Sequence, residues 1–164
     1  MGIKLTKYTP ITQYGDFVSP LRNLRVELNG LGLIVDIIPS ELGRSYVSHE
    51  NSNPVEKILN NSVEIVESKR FLRLEFDQIE RLVVHEEFAT DIYFDDEGVD
   101  LPMLPESKGI WPLLLVENSP WKQILEDYRG GDDEDMQHYR IFSMTTYIDI
   151  LGCLLYTSPS PRDS

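Results

Sequence analysis

Three histidines are the first residues to ask for chemistry: His49, His85 and His138. They stand far apart along the chain, and none has the spacing of a metal ligand. His85-Glu86-Glu87 has the opening of the H-E-x-x-H zinc pattern, but Ala89 stands where the second imidazole belongs. On a strand, His85 and Glu87 share a face while Glu86 points away. That pair, with nearby carboxylates, gives the one enzymatic alternative: a small metal-dependent or acid/base hydrolase. The plainer reading of the same residues is a solvated strand end. His138, beside Tyr139, reads as a polar partner on a strand edge. No serine sits in a G-x-S-x-G elbow or near a histidine in sequence, although the members of a triad meet only in space. Gly30-Leu31-Gly32 belongs to a hairpin rather than to a phosphate-binding turn, and the acidic runs do not fit the calcium-loop pattern. No catalytic residue, metal or cofactor is expected from these residues.

Charge is the extreme property. The chain of 164 residues carries 28 acids against 15 bases, a net −13. Such a chain repels nucleic-acid backbones and is drawn to basic partners. The acids concentrate at 86–87, 91–100 and 126–135, with aromatic residues in or beside them. Carboxylates steer association and aromatic anchors hold it. The binding candidates are therefore Tyr93, Asp95, Asp96, Asp132 and Asp133. Phe94, Trp111, Trp121 and Tyr128 are further aromatic candidates, with Trp121 better suited to the core. The competing reading is a solvated acidic surface that serves solubility alone. No apolar run approaches the ~18 residues of a spanning helix, so no membrane partner is expected.

These residues must be positioned by strands and one helix. Leu24, Val26 and Leu28 alternate with Arg25 and Glu27; Leu31, Leu33, Val35 and Ile37 repeat at the same period. Asn29-Gly30 between them predicts a hairpin with a type I′ turn, both central residues at positive φ. Pro39 ends the second strand, and 40–53 reads as a loop. Residues 54–60 suit one or two helical turns. Val63 and Ile65, then Leu72, Leu74 and Phe76, predict two strands joined by a turn at Glu67-Ser68-Lys69-Arg70. Further strands are expected at 79–88 and 90–94, and 95–109 reads as a loop.

The best-punctuated element is a helix. Ser119 is its N-cap, Pro120 its first residue, and Gly130 follows its end. Trp121, Ile124, Leu125 and Tyr128 form its apolar stripe. Alternation returns at Tyr139–Phe142 and Tyr147–Leu151. The fold class is α+β, mostly β: an antiparallel sheet or meander of about seven or eight strands with one or two helices.

Residues 153–163, Cys-Leu-Leu-Tyr-Thr-Ser-Pro-Ser-Pro-Arg-Asp, resemble translated sequencing-adapter sequence. The expected organisation is one globular domain over 1–152, truncated at its C-terminus, and a non-native, disordered tail over 153–164. Cys153 would then lie in the tail, leaving no thiol chemistry to the domain. Met1–Tyr14 has no apolar core of a secretory signal, so the cytoplasm is the default compartment.

Phe71–Ile79, His85–Phe88, His138–Ile141 and Tyr147–Leu151 resemble small β-rich bacterial domains of the immunity-protein kind. The resemblance spans roughly residues 20–151 and carries over no functional residue. It implies a non-enzymatic, cofactor-free domain that neutralises a toxin by binding it; a basic toxin would suit this chain's charge.

Overall fold

The alternating runs close into one antiparallel sheet of seven strands, in the order β1-β7-β8-β9-β6-β3-β2. The computed structural model describes residues 5–14, 17, 21–45, 63–67, 70–86, 101–107, 109–131 and 133–161, with the backbone alone at 40–45, 63–67, 70, 107 and 155–161. The strands are β1 (Lys7–Pro10), β2 (Asn23–Asn29), β3 (Gly32–Ile38), β6 (Arg70–Glu86), β7 (Leu113–Glu117), β8 (Met136–Phe142) and β9 (Thr146–Pro161). Strands β4 (Ser40–Ser45) and β5 (Val63–Glu67) pair separately. Helix α1 (Pro120–Arg129) lies in the connection from β7 to β8. The architecture is α+β, mostly β. No helix among the described residues is long and apolar enough to cross a membrane.

The central strands are buried on both faces, and side-chain parity sorts their residues into two clusters. Tyr139, Ile141, Ile148 and Ile150 meet Leu33, Val35, Leu74 and Phe76 on one side, under Phe17, Leu21 and Leu104. Met136, Leu151, Leu114 and Tyr8 meet Trp121 of α1 on the other. The helix forms as its punctuation predicts: the Ser119 side chain accepts from the Lys122 N–H, and Gly130 closes the end at φ 76°. Its stripe is only half used. Trp121 is buried, whereas Ile124 and Tyr128 face solvent.

Several expectations are corrected by the pairing. The β2–β3 turn is Gly30-Leu31, not Asn29-Gly30, because Asn29 pairs with Gly32. Only Gly30 has positive φ, 62°, the pattern of a type II′ turn with glycine first. The register moves by two residues, which keeps Leu24, Val26 and Leu28 on the face of Leu33, Val35 and Ile37. Gly32 is needed for a second reason: a Cβ there would lie 2.6 Å from the Phe76 carbonyl oxygen.

Residues 40–45 form a strand rather than a loop, and β5 pairs with β4 rather than with β6. The two strands expected around 72–76 and 79–88 are one, β6. Its apolar phase changes where irregularities in its pairing with β9 fall, between Glu75 and Arg81. Strand β9 continues to Pro161, through the segment for which the sequence predicts no packing. Leu154 packs against the first cluster and Cys153 against the second. The strand expected at 90–94 and the helical turns expected at 54–60 lie outside the described residues.

Candidate functional site

The helix-side face of the sheet is where ionisable residues gather. Three central strands present it through their odd or even positions. Strand β8 contributes His138 and Arg140, β9 contributes Tyr147 and Asp149, and β6 contributes Arg81 and His85. The register sets Arg140 opposite Asp149, and His85 opposite Tyr147. Tyr8 of β1 and Ser119 at the helix N-cap complete the group.

Asp149 is the hub and is fully buried. Its Oδ1 accepts from His138 Nε2 at 2.7 Å and from Arg140 Nε at 2.9 Å. Its Oδ2 accepts from His85 Nε2 at 2.9 Å and from Arg140 Nη2 at 3.1 Å. Each oxygen thus receives two donors, which fills a carboxylate's capacity. Burial alone would raise the Asp149 pKa, but the hydrogen bonds and charges of His138 and Arg140 hold it below its ordinary 3.8. The Arg140 guanidinium balances the charge of the buried carboxylate. Arg140 also donates to the Tyr8 hydroxyl at 3.2 Å.

Aromatic rings clamp both imidazoles. His85 stacks on Tyr147 with centroids 4.2 Å apart, and His138 stacks on Trp121 at 4.7 Å. The Arg81 guanidinium lies 4.2 Å over the Trp121 ring. The result is a layered Arg81–Trp121–His138 column that ties α1 to the sheet.

One chain of contacts has the connectivity of an activated hydroxyl. Ser119 Oγ lies 2.6 Å from His138 Nδ1, and His138 Nε2 donates to Asp149. With Nε2 turned to Asp149, the other ring nitrogen, Nδ1, shares its hydrogen bond with the Ser119 hydroxyl. The serine oxygen in turn accepts from the Lys122 N–H at 3.3 Å. Ser119, His138 and Asp149 are all buried, so this relay joins groups inside the protein rather than facing a substrate. Its chemistry is spent on holding the helix start to β8 and β9.

The sequence readings of the two histidines are corrected here. His138 is not on a strand edge but in the centre of the sheet, and His85 is not a solvated strand end. Both are held by Asp149, which sequence reasoning missed. The signal was available: Asp149 interrupts Tyr147-Ile148-Asp149-Ile150-Leu151, an otherwise apolar strand, and a charge there demands a partner. Glu87, the proposed companion of His85, lies outside the described residues. Among the described residues no group of three or more His, Cys, Asp or Glu side chains is arranged to hold a metal ion.

Of the acidic candidates, Tyr93, Asp95, Asp96 and Asp132 lie outside the described residues. Asp133 is half-buried after the helix, with a carboxylate oxygen 3.6 Å from Arg129. Arg129 also pairs with Glu80. Beside this region Tyr128 is 89% exposed and Ile124 is 63% exposed, one helical turn apart on the same face. Asp127 on the helix, and Glu134 and Asp135 shortly after it in the chain, are exposed as well.

A recess of about 390 Å³ opens beside β1, lined by Thr9, Ile11, Tyr14, Leu115, Gln137 and Tyr139 among others, with no charged side chain. Burial pushes the Tyr139 hydroxyl up to a pKa of about 12, so it remains a neutral phenol. Comparison of the chain with protein-family models, with curated proteins and with solved structures returns no match.

Proposed function

We propose that this chain is a non-enzymatic binding module that docks a basic protein, with an immunity-like role against a basic toxin in the bacterial cytoplasm. The observation that carries the reading is the outward face of α1. Tyr128 and Ile124 stand exposed on it, and exposed acids lie close by in the chain at Asp127, Glu134 and Asp135. A large amphipathic ring and an aliphatic side chain supply contact area, and exposed carboxylates attract a basic surface. The local bases are already matched: Lys122 lies 3.5 Å from Glu126, and Arg129 faces Glu80 and Asp133. The net charge of −13 extends the same field over the whole molecule.

The alternative, a hydrolase using His85, Glu87 and neighbouring carboxylates, draws less support. The His85 Nε2 proton is already given to Asp149. Metal analysis of the purified protein separates the readings.

The test uses a partner recovered from lysate and then purified. Association with the wild type is expected to be fast and to slow with added salt, because exposed charges are screened within about 8 Å at physiological ionic strength. A variant with Asp95, Asp96, Asp132 and Asp133 changed to Asn is expected to associate more slowly, with little change in dissociation. Salt-independent association, unchanged in that variant, would leave the charge as a solubility device.

A further inference from the structure

The two edges of the sheet are built differently. Strand β1 is four residues long and carries Lys7 and Pro10, both devices that discourage further pairing. Strand β2 is seven residues long, has no proline, and no described strand pairs with its outer side. Its backbone polarity follows from the turn. Asn29 and Gly32 flank a two-residue loop and so exchange their hydrogen bonds. Asn23, Arg25, Glu27 and Asn29 therefore face β3, and the N–H and C=O groups of Leu24, Val26 and Leu28 face outward. In keeping with this, the Leu24 N–H donates to the neighbouring Asn23 side chain at 2.9 Å. Val26 is 36% exposed and Leu28 is 65% exposed, continuing the apolar face of Val35 and Leu33 to the rim.

The sequence of this edge is complementary to itself. We propose that β2 pairs antiparallel with β2 of a second copy of this chain, about a two-fold axis at Val26. That register sets Val26 against Val26 and Leu24 against Leu28, so the three residues with outward backbone groups exchange hydrogen bonds with one another. It also sets Arg25 against Glu27 of the second copy, twice by symmetry. Within one chain Arg25 already faces Asp36, and Asp36 is held by Arg73 through 2.7 Å and 3.0 Å hydrogen bonds. The second copy's Glu27 extends that row, giving alternating signs across four strands. On the opposite face Leu24, Val26 and Leu28 cover one another. A partner strand of arbitrary sequence satisfies the backbone but not the charge row, which is what selects a second copy. The interface is isologous and closes as a dimer.

Sedimentation over a range of concentrations tests this, with folding checked by thermal melts. The wild type is expected to form a dimer whose share rises with concentration. Arg25→Glu or Glu27→Arg alone puts like charges at both symmetric contacts and is expected to weaken self-association on the order of tenfold. A mixture of the two variants restores opposite charges at both contacts and is expected to associate like the wild type. If Arg25→Glu fails to fold beside Asp36, Glu27→Arg and Val26→Lys carry the test, since both act on the outer edge. A wild type that stays monomeric at every concentration overturns the proposal. So do variants that dimerise as tightly as the wild type, or a mixture that gains nothing over its components.

Discussion

The centre of the sheet and its β2 edge invert the usual distribution of polarity. At the centre, Asp149, Arg140, His138 and Ser119 are ionisable or polar and buried. At the edge, Val26 and Leu28 are apolar and exposed. The two regions differ in whether their demands are met. Every lone pair of the Asp149 carboxylate has a donor inside the chain, so nothing there calls for a ligand. Apart from the Leu24 N–H, which donates to the Asn23 side chain, the outer backbone groups of β2 have no strand partner among the described residues, and the Ile124–Tyr128 face of α1 stands exposed. Residues able to do chemistry are thus used for stability, and residues that look like core are placed where a second molecule can cover them.

The comparison breaks first at Asp149. Asp149→Asn leaves Arg140 buried without its counter-charge and is expected to cost about 3–5 kcal/mol in denaturant unfolding. A loss below about 1 kcal/mol would mean that the cluster is not the structural centre described. Its pH dependence follows in sign. The folded-state pKa of Asp149 is lowered, so its stabilisation is fully present above the ordinary value of 3.8 and is lost as pH falls through the lower folded value. Acid titration of unfolding free energy is expected to fall more steeply over that window in the wild type than in Asp149→Asn.

Smaller effects are expected toward the edge. Gly32→Ala drives a Cβ against the Phe76 carbonyl and is expected to cost about 1–3 kcal/mol, measured by urea unfolding. Gly30→Val meets no atom within 4 Å, so its cost is only the strain of positive φ, about 1–2 kcal/mol. A neutral result there would contradict the turn assignment. Removal of 155–164 takes away the pairing of β9 with Arg70–Glu75 of β6 and is expected to lower Tm in a thermal melt. The loss is limited because Pro159 and Pro161 cannot donate to the ladder opposite Leu72 and Arg70. An unchanged Tm would show that the stretch adds nothing to the sheet.

Legibility in the sequence follows the range of the interactions. Helix α1 was readable because Ser119, Pro120 and Gly130 act within a few residues of one another. The β2–β3 hairpin was readable in its existence and its faces but not in its turn, since both registers keep the apolar row together. The pairing of β5 with β4 was not readable, because the short spacing of 67–70 favours a local hairpin and only distant contacts decide otherwise. The Asp149 cluster depends wholly on the order β8-β9-β6, which brings His138 and His85 to opposite sides of one carboxylate. Nothing local in either histidine's surroundings shows this. Only the charge inside an apolar strand at Asp149, and the alternation of His138 and Arg140 along β8, marked a face with polar partners.

The claim that buried chemistry holds the fold while the outer helix face does the binding is tested most directly by one paired measurement. Unfolding free energy and affinity for a purified basic partner are measured for Ser119→Ala and Tyr128→Ala. Ser119→Ala removes a helix cap and the hydroxyl bound to His138, and is expected to cost about 0.5–2 kcal/mol of stability with affinity unchanged. Tyr128→Ala is expected to leave stability within about 0.5 kcal/mol and to weaken binding by on the order of tenfold or more. The opposite assignment, with binding lost in a still-folded Ser119→Ala and kept in Tyr128→Ala, would contradict the account and make the buried relay the functional centre.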